Sequence, residues 1–339
     1  MDAISVQPVD EASEPATPSL LRGAVIGYGA IEPGRIGDDI ALASSMGLRT
    51  LRFGVSWLLA EPKQGTLNGD VVELLRSVAE QCRSAGIAPW FTLLQTDVPR
   101  WFLNEGGFTD SRNAGHWWPR WVESIAGALG DVSAGWVPFE APYAMANRLI
   151  PDDPRRHGEL MDTLAVAWRD AWRILRGGPP VATSLDVKVV RPIDQTIPAE
   201  HEAKREDQLR WRLWMQGLHD GIVSIPGRAD RELPDLAGAC DVIGIAVRTD
   251  IETVLYRAAE MAPDRPLALT YRPLGDTDAQ RAAAVEGMWR ELRRAADELP
   301  LRNVSITPFH DAATPTGTTT DGIITRERDV KDSGHAFMA

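Results

Sequence analysis

Hydrophobic residues along this chain alternate between two rhythms. Short apolar runs of strand type give way, again and again, to stretches in which apolar side chains recur every three or four positions, the spacing of an amphipathic helix. The first run, 24–28, lies between glycines and leads into a helical pattern over 38–46 that Gly47 closes. A second run at 50–55 is followed by Ser56-Trp57, a loop with Glu61-Pro62 and Gly65, and a helix over about 71–85 ended by Gly86. The third strand spans 87–94, and its helix runs through 117–129 to Gly130-Asp131. Trp136-Val137-Pro138-Phe139-Glu140 reads as a fourth strand ending in a carboxylate, with Pro142 stopping any continuation.

The second half repeats the theme. A helix over 159–175 ends at Gly177-Gly178-Pro179, and 180–185 is strand five. A longer connection, 187–203, leads to a helix over 205–218. The near-continuous apolar run 241–247 has the composition of a strand buried on both faces of a parallel sheet. Helix 251–261, strand 266–270, helix 279–299 and strand 303–307 complete the series. Eight strands, each followed by a helix or helical stub, predict an α/β fold, a single (β/α)8 TIM barrel over residues 21–339. An open dinucleotide-binding sheet would require Gly-x-Gly-x-x-Gly after an early strand, and Gly27-Tyr28-Gly29 supplies two glycines before Pro33.

Composition narrows the function classes. A net charge of -12 argues against a nucleic-acid partner and points to a neutral or cationic small molecule. Residues 1–20 hold acids, prolines and small residues with no basic start or apolar run, which predicts a disordered leader on a cytoplasmic protein with no membrane anchor. Cys82 and Cys240 stand far apart in no metal-ligand spacing and read as buried free thiols. No metal or phosphate-loop motif is present, so no cofactor is expected; an oligomeric state is not legible. The bias to Ala, Arg, Gly and Pro fits a bacterial source of high GC content, where small-molecule biosynthesis is a natural setting.

Leu51-Arg52-Phe53-Gly54-Val55-Ser56-Trp57 followed by Glu61-Pro62, Gly65 and Asn68, the stretch Thr92-Leu93-Leu94-Gln95-Thr96-Asp97-Val98-Pro99, Gly106-Gly107-Phe108, and Asp241-Val242-Ile243-Gly244-Ile245 occur in a fixed order. In that order they resemble glycoside hydrolase family 1, the β-glucosidase family, and Gly322 to Phe337, with Lys331 and Ser333, is similar to its closing segment. The resemblance runs from about residue 22 onward and implies the barrel. It also implies that both family glutamates are missing: Ala141 falls on the acid/base of Asn-Glu-Pro, with Glu140 on the asparagine, and Tyr271 falls on the nucleophile. Sugar-contacting positions differ too, with Ala30, Leu59, Gln95 and Ala246 in place of the family's residues.

Barrel sites form at the C-terminal ends of the strands. Those ends carry Glu32, Trp57, Gln95 with Asp97, Glu140, Asp186, Arg248, Tyr271 with Arg272, and His310 with Asp311, and the loop after strand three adds Trp101. Glu140, Asp186, His310 and Tyr271 are the candidates for catalysis, and the others for holding a small-molecule ligand in the barrel mouth. Glu140 either transfers a proton or binds substrate, or merely pairs with Arg248 or Arg272. Tyr271 is a wall residue or a nucleophile whose phenol a neighbouring cation lowers. His310-Asp311 has the composition of an oriented general acid or base. Asp97 binds ligand or caps a turn. Trp57 and Trp101 are the stacking candidates, whereas Trp117, Trp118, Trp121, Trp168 and Trp172 sit at helical spacing and read as packing.

Three functions remain open at this level. One is an enzyme on the glycosidase scaffold performing other acid/base chemistry, such as isomerisation, elimination, cyclisation or glycosyl transfer, on a glycoside or sugar-like molecule. Another is a binding or regulatory pseudoenzyme. The last is a true glycosidase in which Glu140 serves as the acid.

Overall fold

The computed structural model describes residues 20–95, 97–314 and 317–339. Eight parallel strands form its central sheet: β1 (Leu21–Ile26), β2 (Thr50–Gly54), β3 (Ala88–Thr92), β4 (Gly135–Val137), β5 (Leu185–Asp186), β6 (Ile243–Val247), β7 (Leu267–Tyr271) and β8 (Leu301–Ile306). Their order is β4-β3-β2-β1-β8-β7-β6-β5. Single bridges join Trp136 to Val181 and Ala182 to Val242, so the segment leading into β5 lies between β4 and β6 and closes the ring. The fold is therefore the TIM barrel that the alternating rhythm predicts. The proposed leader, 1–20, falls almost wholly outside the described residues.

Strand five is the irregular stave. Only Leu185–Asp186 is regular, although the apolar run predicts 180–185. The neighbouring strand crowds it: a Cβ on Gly244 would stand 1.9 Å from the Thr183 carbonyl oxygen, so a side chain is excluded where the two backbones meet.

Helices surround the ring and bury their apolar stripes against it. Two begin well before the periodicity predicts and one is additional, each for a local reason. The helix Ser111–Leu129 starts where Asp110 accepts hydrogen bonds from the amides of Arg112 and Asn113, six residues before Trp117. Ile197–Asp207, capped by Thr196, runs through a π-turn at Gln208–Arg212 into Leu213–Asp220. After β4 an additional helix, Pro142–Leu149, opens with proline at its first turn. The strand itself ends at Val137, short of the expected Glu140, and Pro142, lacking an N–H that this position would leave unpaired, starts a helix.

The tryptophans mostly build the core. Trp57 is fully buried, stacked on Trp121 with ring centres 5.4 Å apart and edge-on to Trp118 at 5.9 Å. Its indole N–H donates to Glu61 at 2.7 Å, and Trp101 donates to the Glu61 carbonyl at 3.1 Å. Among the described residues, no helix is long and apolar enough to cross a membrane.

Candidate active site

At the C-terminal end of the barrel a cavity of about 790 Å³ opens, lined by strand ends and the loops that follow them. Glu140 lies at its base, delivered by the turn that leaves β4. Ala141 takes a left-handed conformation (φ 52°, ψ 63°), its amide donating to the Ser184 carbonyl at 2.8 Å, and swings the chain into the helix that Pro142 begins.

The Glu140 carboxylate is held from two sides. Arg52 Nη2, from β2, donates to Oε1 at 2.9 Å, and Gln95 Nε2 donates to Oε2 at 3.0 Å. The pair is only partly hidden, with side-chain exposures of 9% for Arg52 and 20% for Glu140, so the carboxylate still meets the cavity. The arginine partner is thus Arg52, and the expected pairing with Arg248 or Arg272 is corrected. Arg52 also reaches Thr92 Oγ1 and Thr270 Oγ1, each at 3.4 Å. Gln95 can lean in because residue 54 is glycine: a Cβ there would fall 1.9 Å from Gln95 Oε1.

Asp186 reaches the cavity but is fully engaged. Its two oxygens accept from the amides of Tyr143 and Ala144 at 3.0 and 2.9 Å, and from Arg210 at 2.9 Å. It caps the helix after β4. Burial pushes its carboxyl above the usual range, against the pull of Arg210 and those amides.

Tyr271 does not enter the mouth. Residues alternate across a strand, and on β7 the inward position is Thr270, which touches Arg52, while the Tyr271 hydroxyl donates to the Ala284 carbonyl at 3.2 Å on a surrounding helix. Burial, with a contribution from Glu291, raises its phenol from 10.0 to about 12, opposite to the lowering that a neighbouring cation would produce. The nucleophile reading of Tyr271 is overturned.

His310 and Asp311 form no dyad. The His310 ring is buried, with Nδ1 3.0 Å from the Asp311 carbonyl and Nε2 3.6 Å from Asp39, while the Asp311 carboxylate takes Lys331 at 2.7 Å and the Gly322 amide at 2.9 Å. Consecutive side chains here serve different neighbours. Trp57 and Trp101 belong to the aromatic core and not to the cavity wall, which corrects their assignment as stacking residues. Glu32 is bound by Arg326 at 3.1 Å, away from the cavity lining, and Asp97 is exposed outside it. Gln95, Glu140, Asp186, Arg248, Arg272 and His310 do contribute to the lining.

The sequence reading missed the basic character of the mouth. Its lining holds Arg148, Lys188, Arg210, Arg248 and Arg272 against Glu140, Asp186 and Asp321, an excess of cations in a chain of net charge -12. Whole-chain charge therefore does not describe the charge of this cavity. Among the described residues, no group of three or more His, Cys, Asp and Glu side chains is placed to hold a metal ion.

Comparison with known proteins bears on this pocket. The family model "Glycosyl hydrolase family 1" matches residues 32–219. The 6-phospho-beta-glucosidase AscB of Escherichia coli is 30% identical over 107 residues, covering 31% of this chain and 23% of that protein. The aryl-phospho-beta-D-glucosidase BglC of Bacillus subtilis is 32% identical over 104 residues, 30% of this chain and 22% of the relative. The match thus spans less than a quarter of either relative. Among solved structures, a beta-glycosidase from Pyrococcus horikoshii superposes with a TM-score of 0.81 at 18% identity, over 95% of this chain and 94% of that one. The family 1 b-glucosidase of Thermotoga maritima bound to isofagomine lactam gives 0.82 at 14% identity, over 95% and 97%. At such identities the structural likeness speaks for the fold alone.

Proposed function

The chain belongs to glycosyl hydrolase family 1, and from that premise we propose that its barrel mouth binds a glycoside or sugar-like small molecule around Glu140 without running two-carboxylate hydrolysis. One observation carries this reading. Each of the three acids lining the cavity is already held, Glu140 by Arg52 and Gln95, Asp186 as a helix cap with Arg210, and Asp321 by Arg272 at 2.5 Å, so the lining offers no free pair of carboxyls. Retaining and inverting glycosidases both need a pair, at about 5 Å or about 6.5–9.5 Å. Thr270 supports the same view, since the inward position at the end of β7 carries a hydroxyl on Arg52 and no carboxylate.

A second reading keeps chemistry at this site. Arg52 and Gln95 fix the Glu140 carboxyl group facing the cavity, a suitable placement for a lone base in an elimination or isomerisation of a sugar-like substrate. A bacterial biosynthetic setting would suit either reading.

The test is a screen of aryl glycosides beside calorimetric titration with simple sugars. Saturable sugar binding, no release of the aryl group, and weaker binding in Glu140→Gln are expected. Robust hydrolysis that disappears in Glu140→Gln would overturn the proposal in favour of a true glycosidase. Conversion of a bound sugar without hydrolysis, lost in the same variant, would select the lone-base reading.

A further inference from the structure

The basic excess at the mouth is unevenly satisfied. Lys188 bridges Glu206 at 2.9 Å, Arg210 bridges Asp186 and Glu206, and Arg272 bridges Asp321. Arg248, just past the end of β6, forms no ion pair among the described residues, although Asp321 acts on it at longer range, and it lines the cavity together with Arg272. Partial desolvation and the like charge of Arg272 hold its pKa below the ordinary arginine value, against the opposing pull of Asp321. Arg148 and Arg248 are thus the lining cations that form no ion pair among the described residues, and of these Arg248 stands next to a second arginine. The cost of keeping two like charges together is removed when an anion docks between them.

We propose that Arg248, reinforced by Arg272, receives an anionic group of the ligand, a phosphate or a carboxylate, so that the pocket selects an acidic sugar over its neutral counterpart. This rests on the sugar-binding reading above. Arginine suits the task because its planar fork donates two parallel hydrogen bonds to either group. Glu140, whose charge Arg52 matches, then meets neutral hydroxyls of the same ligand.

Titrations of the intact protein with glucose, glucuronate, glucose 6-phosphate and inorganic phosphate separate the possibilities. At least one acidic sugar is expected to bind roughly ten- to a hundredfold more tightly than glucose, the range for a charge-assisted bidentate contact. The two acidic sugars distinguish carboxylate from phosphate. Arg248→Met should abolish the advantage, Arg248→Lys should restore part of it, and added salt should erode it. Because Arg248 is exposed, the variants are expected to fold, which circular dichroism and thermal melting verify. Equal affinity for glucose and both acidic sugars would overturn the anion site while sparing the sugar reading. Phosphate binding that depends on Arg248, with no sugar bound, would do the reverse, and absence of all binding would sink both.

Discussion

Arg52 Nη2 lies 2.9 Å from Glu140 Oε1, so a single guanidinium from β2 secures the acid that leaves β4 and reaches on to Thr270 of β7. The charge is matched inside a barrel where neither partner is freely solvated. Breaking a buried pair leaves an uncompensated ion, which costs more than the pair itself contributes. Arg52→Met should therefore destabilise the fold by about 2–3 kcal/mol, at or below the low end for a fully buried pair because Glu140 meets the cavity. Adding Glu140→Gln to that variant should cost little more, since the remaining amide needs no counter-ion. Urea unfolding of the four proteins checks this, and strict additivity would count against the coupling.

Gly54 sets the reach of Gln95. Alanine at 54 would place its Cβ 1.9 Å from Gln95 Oε1 and 3.0 Å from the Tyr28 amide, and the amide side chain is the softer obstacle. Gly54→Ala should push Gln95 off Glu140 and cost about 1–2 kcal/mol, the scale of a hydrogen bond to a charged group. In a Gln95→Ala background the same change should cost much less. Equal costs in both backgrounds would show that the clash lies with the backbone.

Tyr271 offers a pH test. Its phenol titrates near 10.0 in the unfolded chain and at about 12 in the fold, so the folded state holds the proton more tightly. The resulting stabilisation is fully present below pH 10 and is lost as pH rises toward 12. Tyr271→Phe should flatten that alkaline loss, remove about 1 kcal/mol with the hydrogen bond to Ala284, and leave sugar binding unchanged. Loss of binding or of any turnover in this variant would reinstate the residue as part of the site.

How far the chain could be read follows from the same contacts. Period and length alone reveal the barrel, because eight buried strands need apolar runs and each covering helix needs an apolar stripe. Glu140 was legible as a carboxylate at a strand end. Its partner also left a signal: an arginine in the middle of the apolar strand Leu51-Arg52-Phe53 has no bland place in a core, and its burial demands an acid. Tyr271 was misread because alignment by spacing says nothing about which face of the pleat a residue takes, and Thr270 has the inward one. His310 and Asp311 were misread as a unit because adjacency in sequence is not adjacency of side chains. The basic mouth was invisible since its arginines arrive from separate loops, and only the folded ring collects them.

The two cysteines allow a last prediction. Cys82 and Cys240 are free and buried, and burial raises each thiol from 9.0 to about 12. Thiolate, the reactive form, should then be roughly a thousandfold scarcer at pH 8 than in an ordinary thiol, before any steric shielding is counted. Labelling by a disulfide reagent should accordingly be very slow in the native protein and rapid in denaturant, with both thiols reacting together as the barrel opens. Each thiol sits against a different part of the barrel: Cys82 on the helix Gly69–Ser84 and Cys240 just before β6. Mass spectrometry of partially labelled protein therefore reports whether the two sides open as one unit. Rapid labelling of either cysteine under native conditions, with the other protected, would show that its side opens independently and that the ring is not a single cooperative structure.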